Sequence, residues 1–158
     1  MHRGILVPAI AIAFAACNPF HSKPAVQLNP GEVDAAHRWN ATLATPPDLA
    51  GAIQVRGNAW MKAAGDNSTQ VHVDISNAAP GGVHPWMVHS GTCGNDQGVV
   101  GSAANYQPLK VNNDGVASQT TTIPVAVSSG ASYFIAVHAS AANMSTIVAC
   151  GNLAPPLQ

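Results

Sequence analysis

Gly81–Cys93 reads GGVHPWMVHSGTC and contains two of the seven histidines and one of the three cysteines of the chain. If the middle of this segment is extended, its side chains alternate between two faces of a strand. Trp86 and Val88 then point toward a core, while Met87 and His89 share the opposite, outer face. A thioether beside an imidazole on one strand predicts a small metal site.

The composition of the chain limits the classes of function open to it. Only 8% of its 158 residues are charged and the net charge is −1, so the sequence lacks the basic character of a nucleic-acid-binding protein. The length suits one domain, and 14 Gly and 12 Pro favour short strands and turns over long helices. No apolar run reaches the ~20 residues of a permanent membrane-spanning helix.

The N-terminal residues have the pattern of an export signal. A short basic start precedes the apolar run 5–16, and Cys17 follows two alanines. This order resembles the lipobox of bacterial lipoproteins, whose cysteine is lipidated; simple secretion with cleavage nearby is the alternative. We therefore expect a lipoprotein signal peptide at 1–16 and a flexible tether at 17–36. The expected location is the bacterial cell envelope, either lipid-anchored or periplasmic.

The odd number of cysteines needs an explanation in an exported protein. If Cys17 carries lipid, Cys93 and Cys150 remain, and an oxidising compartment lets them form a disulfide. Two free thiols are the alternative. The disulfide would close a loop of about 57 residues, which the chain-entropy model values at roughly 4 kcal/mol.

From residue 37 onward the pattern is that of an all-β domain, which we place at 37–158. Short apolar stretches alternate with clusters of Gly, Pro, Asn and Ser, and no convincing helix follows the N-terminal signal. Strands are predicted at 38–45, 52–63, 70–76, 86–89, 109–111, 116–127, 133–138 and 146–153. About eight short strands at regular spacing predict a sandwich or a Greek-key barrel.

Local signals add detail to this prediction. Gly57 is expected to mark a bulge or bend within its strand. Residues 90–105, which are rich in Gly, Ser and Asn, are expected to form a surface loop, and 139–145 a second, shorter loop. Asp114-Gly115 is a strong turn signal and predicts a hairpin between the strands on either side of it.

Several motifs follow one another in a distinctive order. They are His84-x-x-Met87-x-His89 before Cys93, Asp114-Gly115 at the start of a strand, Val137-His138 at the end of another, and Ala149-Cys150-Gly151 near the C-terminus. This order resembles the Cu/Zn superoxide dismutase family over roughly residues 50–153. The resemblance implies an eight-stranded Greek-key barrel with a metal site on its outer face. It also implies that the two cysteines form the family's intra-subunit disulfide.

The resemblance further implies a copper site in which one ligand has changed. His89 and His138 match copper-ligating histidines of the family. Met87 stands where the family has the first histidine of its His-x-His pair. His84 matches a histidine that normally supports the site without binding the metal.

Other parts of the family's site are missing from the sequence. The family's bridging histidine and zinc ligands follow the first cysteine, but residues 90–137 contain no histidine and Asp96 is the only acid of that loop. One carboxylate cannot replace a zinc site of ~4 ligands. Ile147 stands where the family has an anion-guiding Arg, and 111–158 contain no Lys or Arg. We therefore expect no zinc and weak or absent dismutase activity.

These features together predict an exported protein that binds one copper ion through His89, His138 and Met87. Imidazole suits copper in both oxidation states, and a thioether favours Cu(I). Met144, in the shorter loop, is either a second thioether ligand or a packing residue. The other functions left open are a residual copper-only superoxide dismutase acting on superoxide, and a metal-free structural or interaction module. The expected partners are copper and, through the lipid anchor, the membrane; no nucleic acid is expected.

Overall fold

The computed structural model describes residues 37–156, which form an all-β domain. Its strands are β1 (Trp39–Ala44), β2 (Arg56–Gly65), β3 (Ser68–Ser76), β4 (Val83–His84), β5 (Trp86–Thr92), β6 (Asn95–Val99), β7 (Leu109–Lys110), β8 (Ala117–Ile123), β9 (Tyr133–Ser140) and β10 (Asn143–Leu153). A single 3₁₀ turn, Ala103–Asn105, precedes β7 among these residues. Within them, no helix is long and apolar enough to cross a membrane. The predicted signal peptide, tether and lipidation site at Cys17 lie outside the described residues.

Eight of these strands form one curled antiparallel sheet in the order β6-β5-β9-β10-β1-β2-β3-β8. The two short strands β4 and β7 pair with each other beside it. Consecutive strands are neighbours from β1 to β3, from β5 to β6 and from β9 to β10, whereas the chain crosses between distant parts of the sheet to reach β5, β8 and β9. The predicted all-β fold is confirmed; residues 37–156 contain ten strands in place of the about eight predicted, and eight of them form the curled sheet.

Alternation along the strands places apolar side chains on the inner face of the sheet. In β3, Val71, Val73 and Ile75 are buried, while His72 and Asp74 between them stay partly exposed, as the sequence pattern predicts. Burying a Val or Ile side chain stabilises a fold by about 1.5–3 kcal/mol, so this strand alone contributes strongly to the core. The core side of the sheet is therefore fixed by period-2 hydrophobicity.

The segment 90–105 is not the loop that its composition predicts. β6 forms within it and pairs with β5, and the 3₁₀ turn follows. All five residues of β6 are exposed, so the strand has no alternating apolar pattern for a sequence reading to detect. The predicted loop 139–145 is also wrong, because β9 runs to Ser140 and β10 begins at Asn143.

The turn at Asp114-Gly115 forms, but the predicted hairpin does not. Gly115 donates its backbone amide to Asn112 and has a positive φ of 76°. The flanking strands nevertheless take other partners, since β7 pairs with β4 and β8 pairs with β3. The Asp-Gly signal therefore predicts the turn correctly, because a turn depends on local residues. The partners of β7 and β8 come from distant parts of the chain, so the signal does not predict them.

Gly57 does not mark a bulge. It pairs in regular register with Leu43 on β1 and Ile75 on β3. A Cβ at this position would collide with the backbone carbonyl oxygen of Asp74. Glycine is needed here for a close approach of two backbones, which is the other common reason for glycine inside a strand.

A disulfide joins Cys93 and Cys150 across 57 residues, as predicted, with a Cα–Cα distance of 6.1 Å. Cys93 lies in the turn between β5 and β6, and Cys150 lies in β10. The backbone amide of Cys93 also donates to the side chain of Asn152, at 2.8 Å. The turn that follows β5 is therefore tied to β10 both covalently and by a hydrogen bond.

Candidate metal centre

Both faces of β5 are buried, and not only its core face. Trp86 and Val88 are fully inaccessible, and the side chains on the opposite face, Met87 and His89, are each only 5% exposed. Strand geometry puts Met87 and His89 on the face opposite to Trp86 and Val88, but burial does not distinguish the two faces, and Met87 packs with the same core cluster as Trp86 and Val88. One covering element is β6, which lies at the sheet edge beside β5 and contributes Asp96 to the surroundings of His89.

Strand register places Met87 between the two candidate histidines. On the outer face, His89 lies opposite Phe134, and Met87 lies opposite Ala136. His138 follows two residues later on β9, and its backbone amide donates to Pro85 at 2.8 Å. The Met87–Ala136 pair thus separates the two histidines along the face, and the small alanine leaves their rings room to approach each other.

The rings of His89 and His138 do approach, with their centroids 5.9 Å apart. His89 Nδ1 donates to a carboxylate oxygen of Asp96 at 2.9 Å, and His138 Nδ1 donates to the backbone carbonyl of Met144 at 2.6 Å. In a neutral imidazole these bonds leave the lone pair on Nε2. Both Nε2 atoms are buried and have no hydrogen-bond partner among the described residues.

The surroundings of the two rings favour a neutral His138 beside an ionised Asp96. Burial lowers the pKa of His138 below 6.5 and the charge of His89 lowers it further, although the Met144 carbonyl and Asp96 act in the opposite direction. Desolvation raises the pKa of Asp96, but the Gly98 amide and the hydrogen bond and charge of His89 bring it below 3.8. His138 therefore keeps its Nε2 lone pair at neutral pH.

These residues fit a small metal ion. A metal–nitrogen bond of about 2 Å places an imidazole centroid about 3 Å from the ion, so two ligating rings lie at most about 6 Å apart. The observed 5.9 Å is within that reach. A buried imidazole nitrogen without a partner is costly unless it receives one, and a metal ion would be such a partner. Within 37–156, no group of three or more His, Cys, Asp or Glu side chains could hold a metal, so a third protein ligand would have to be of another kind.

His84 lies beside this pair and does not face it. Its Nδ1 donates to the backbone carbonyl of His138 at 3.0 Å. Its Nε2 lies 2.8 Å from the position that a Cβ on Gly82 would occupy, so this nitrogen points toward the β4 loop. The Nδ1 bond ties the His84 ring to the backbone of His138, and Nε2 of His84 is also buried without a hydrogen-bond partner among the described residues.

Two partners of the histidines were missed in the sequence. Asp96, which the sequence offers only as an insufficient zinc ligand, stands seven residues after His89 on β6. Met144, expected to be either a thioether ligand or a packing residue, is 39% exposed, and its carbonyl makes the contact with His138. Ile147 pairs directly with His138 in the β9–β10 ladder.

Other polar and concave features lie away from the pair. His72 donates to or accepts from Thr120 at 2.8 Å and stacks on Trp60 with centroids 5.3 Å apart, on the outer face of β2 and β3. A cleft of about 790 Å³ lies next to the disulfide and includes the turn at 45–49 in its wall, but neither His89 nor His138 lines it.

The fold and the site define an all-β domain that carries two buried histidines with neighbouring rings on one sheet face. No family model matches the chain, and no curated protein matches it at a significant level. The case for a function therefore rests on the chemistry of this site.

Proposed function

We propose that this protein is an exported copper-binding protein that holds one copper ion through Nε2 of His89 and Nε2 of His138, with Met87 as third ligand. One observation carries the proposal. The two Nε2 atoms are buried and without a hydrogen-bond partner among the described residues, while each Nδ1 is held by an acceptor that leaves Nε2 free to bind.

The donor set favours copper over other metals. Imidazole binds copper in both oxidation states, and a thioether is a soft ligand that prefers Cu(I). Met87 lies on the same buried face, between the two histidines. Copper bound there would supply a centre that can gain or lose one electron. The protein would supply two oriented imidazoles and a dry, apolar surrounding.

Weak or absent dismutase activity is part of the proposal. Superoxide is an anion, and electrostatic guidance of a charged substrate raises association rates by about 10–10³-fold. The residue paired with His138 on β10 is the apolar Ile147, and 111–158 contain no Lys or Arg. Storage or delivery of copper suits these surroundings, in which Asp96 is the nearby charge and 111–158 supply no Lys or Arg to attract an anion, better than rapid turnover of superoxide.

Export and a lipid anchor on Cys17 complete the proposal. Disulfides persist in oxidising compartments such as the bacterial periplasm, and the Cys93–Cys150 bond supports such a location. The resemblance of the motif order to Cu/Zn superoxide dismutase supports the same compartment and the same metal.

An anaerobic titration with Cu(I) tests the proposal. The purified domain, 37–158, competes for Cu(I) with a chromophoric chelator of known affinity, and the stoichiometry is read from the chelator's absorbance. We expect one tightly held copper ion per chain. An affinity no stronger than that of His89→Ala treated in the same way, or several equivalent weak sites, would refute it and leave a metal-free structural module.

A further inference from the structure

We infer that Asp96 is a positioning residue for copper: it orients the ring of His89 and raises the affinity of the site for Cu(II) relative to Cu(I). This inference rests on the proposed copper-binding function. Asp96 contacts Nδ1 of His89, whereas the proposed metal-binding nitrogen of that ring is Nε2.

The carboxylate of Asp96 is fixed in place by two donors. Its Oδ1 accepts from His89 Nδ1 at 2.9 Å and from the backbone amide of Gly98 at 2.7 Å. The side chain of His89 is 6% exposed and that of Asp96 is 48% exposed. The bond therefore joins a buried ring to a carboxylate at the surface, and that carboxylate keeps its hydration on the outer side.

An irregularity in the β5–β6 ladder brings the two residues together. The register shifts between the pair His89–Val99 and the pair Gly91–Asp96, so β6 has one residue more than β5 over this interval. Gly91 has φ 99°, and a Cβ there would collide with the carbonyl oxygen of Asn95. A bulge of this kind re-aims a side chain, and here it turns Asp96 toward the ring.

The two histidines consequently have unequal partners. His138 Nδ1 donates to a neutral backbone carbonyl, whereas His89 Nδ1 donates to a carboxylate. A charged acceptor makes the stronger hydrogen bond and makes the imidazole a more basic ligand. Because Cu(II) carries the larger charge, it gains more than Cu(I) from a basic ligand and from a nearby anion.

Two variants separate orientation from charge. Asp96→Asn keeps an oxygen acceptor for His89 and Gly98 but removes the negative charge. Asp96→Ala removes both. We expect Asp96→Ala to weaken copper binding by about 10–100-fold, the usual cost of losing a partner of a metal-bound histidine. We expect Asp96→Asn to lose about 10-fold more affinity for Cu(II) than for Cu(I), which raises the reduction potential by about 59 mV.

The effect of Asp96 on the His89 ring can also be measured in the absence of metal. In the metal-free protein, ¹⁵N NMR of the imidazole nitrogens reports which nitrogen of His89 carries the proton. We expect the Nδ1–H form in the wild type and in Asp96→Asn, and a mixture with the Nε2–H form in Asp96→Ala. Asp66→Asn, in the exposed turn between β2 and β3, is the matched control for the loss of one surface charge.

The outcomes distinguish this inference from the proposed function. If His89→Gln leaves copper affinity unchanged, the copper site itself is refuted. If His89→Gln weakens binding but both Asp96 variants match the wild type and Asp66→Asn, the role of Asp96 alone is overturned. If Asp96→Ala does not fold, Asp96→Asn decides: an unchanged ratio of Cu(II) to Cu(I) affinity overturns the inference.

Discussion

His89 and His138 lie on neighbouring strands with their ring centroids 5.9 Å apart, although their backbones are separated along the sheet face by the Met87–Ala136 pair. This separation of the two rings is short enough for both imidazoles to bind one metal ion. Most buried polar atoms in folded proteins have a hydrogen-bond partner, whereas Nε2 of His89, of His138 and also of His84 has none among the described residues. This relationship is the basis of the proposed copper site.

The thioether of Met87 gives the first prediction. Met87→Leu preserves volume, so the unfolding free energy of the metal-free domain should change by less than about 1.5 kcal/mol. Loss of the soft sulfur should weaken Cu(I) binding more than Cu(II) binding. Competition titrations with both ions measure this, and Met61→Leu, a buried core change on β2, is the matched control. If both ions lose affinity equally, or neither loses any, Met87 is a packing residue.

The disulfide gives the second prediction. Its 57-residue separation corresponds to a stabilisation of about 4 kcal/mol in the chain-entropy model. Replacing both Cys93 and Cys150 with Ser should therefore lower the unfolding free energy, measured by urea denaturation, by about that amount. If the unfolding free energy falls by less than about 1 kcal/mol, the disulfide does not stabilise the fold by restricting the unfolded chain.

Tyr106 gives a prediction at alkaline pH. Its hydroxyl donates to the carbonyl of Val100 at 2.8 Å, and its ring meets the Trp86 ring edge-on at 5.2 Å. Desolvation raises the pKa of Tyr106 from 10.0 to about 12. Since the unfolded chain loses this proton first, stability is intact below pH 10 and falls between pH 10 and about 12, by up to about 3 kcal/mol.

Tyr106→Phe tests this directly. At pH 7 the variant should lose about 1–3 kcal/mol, because the buried carbonyl of Val100 is left without its donor. From pH 10 to 12 its urea midpoint should fall less steeply than that of the wild type. Equal slopes in this range would mean that Tyr106 ionises as easily in the fold as in the unfolded chain.

His138 gives a prediction at mildly acidic pH for the metal-free domain. Burial lowers its pKa below 6.5, so the unfolded chain takes up the proton before the folded one does. Stability is therefore full above pH 6.5 and decreases as the pH falls from 6.5 to the lower pKa of the folded state. His138→Gln should flatten this decrease in thermal unfolding between pH 7 and 5. His72→Gln should retain it, and an unchanged slope in the His138 variant would contradict the prediction.

The fold was predictable where local pattern and final environment agree. The alternation of Val71, Val73 and Ile75 identifies a strand and its buried face without any tertiary information. β6 was not predictable, because its residues are all exposed and its pairing depends on Gly91 and on the disulfide-tied turn. Gly57 was read as a bulge because sequence alone cannot reveal that the backbone of a neighbouring strand lies against it.

The candidate site was predictable only in part, because some of its contacts depend on tertiary structure. His89 and His138 could be chosen from the order of motifs, and alternation placed Met87 on the same face as His89. The pairing of His89 with Asp96 depends on the bulge between β5 and β6, and the pairing of His138 with the Met144 carbonyl depends on how β10 begins. Neither contact leaves a periodic signal in the sequence.

The most direct test of the copper site is the Cu(I) affinity of His89→Gln and His138→Gln, measured by anaerobic chelator competition beside the wild type and His72→Gln. His72 lies on β3, which four strands separate from β5 in the sheet, and controls for nonspecific imidazole binding. We predict that His89→Gln and His138→Gln each weaken Cu(I) binding by more than the loss of about 10–100-fold that is expected for a residue that only supports a ligand. His72→Gln should bind as the wild type does. Equal affinities for all four proteins would contradict the copper site.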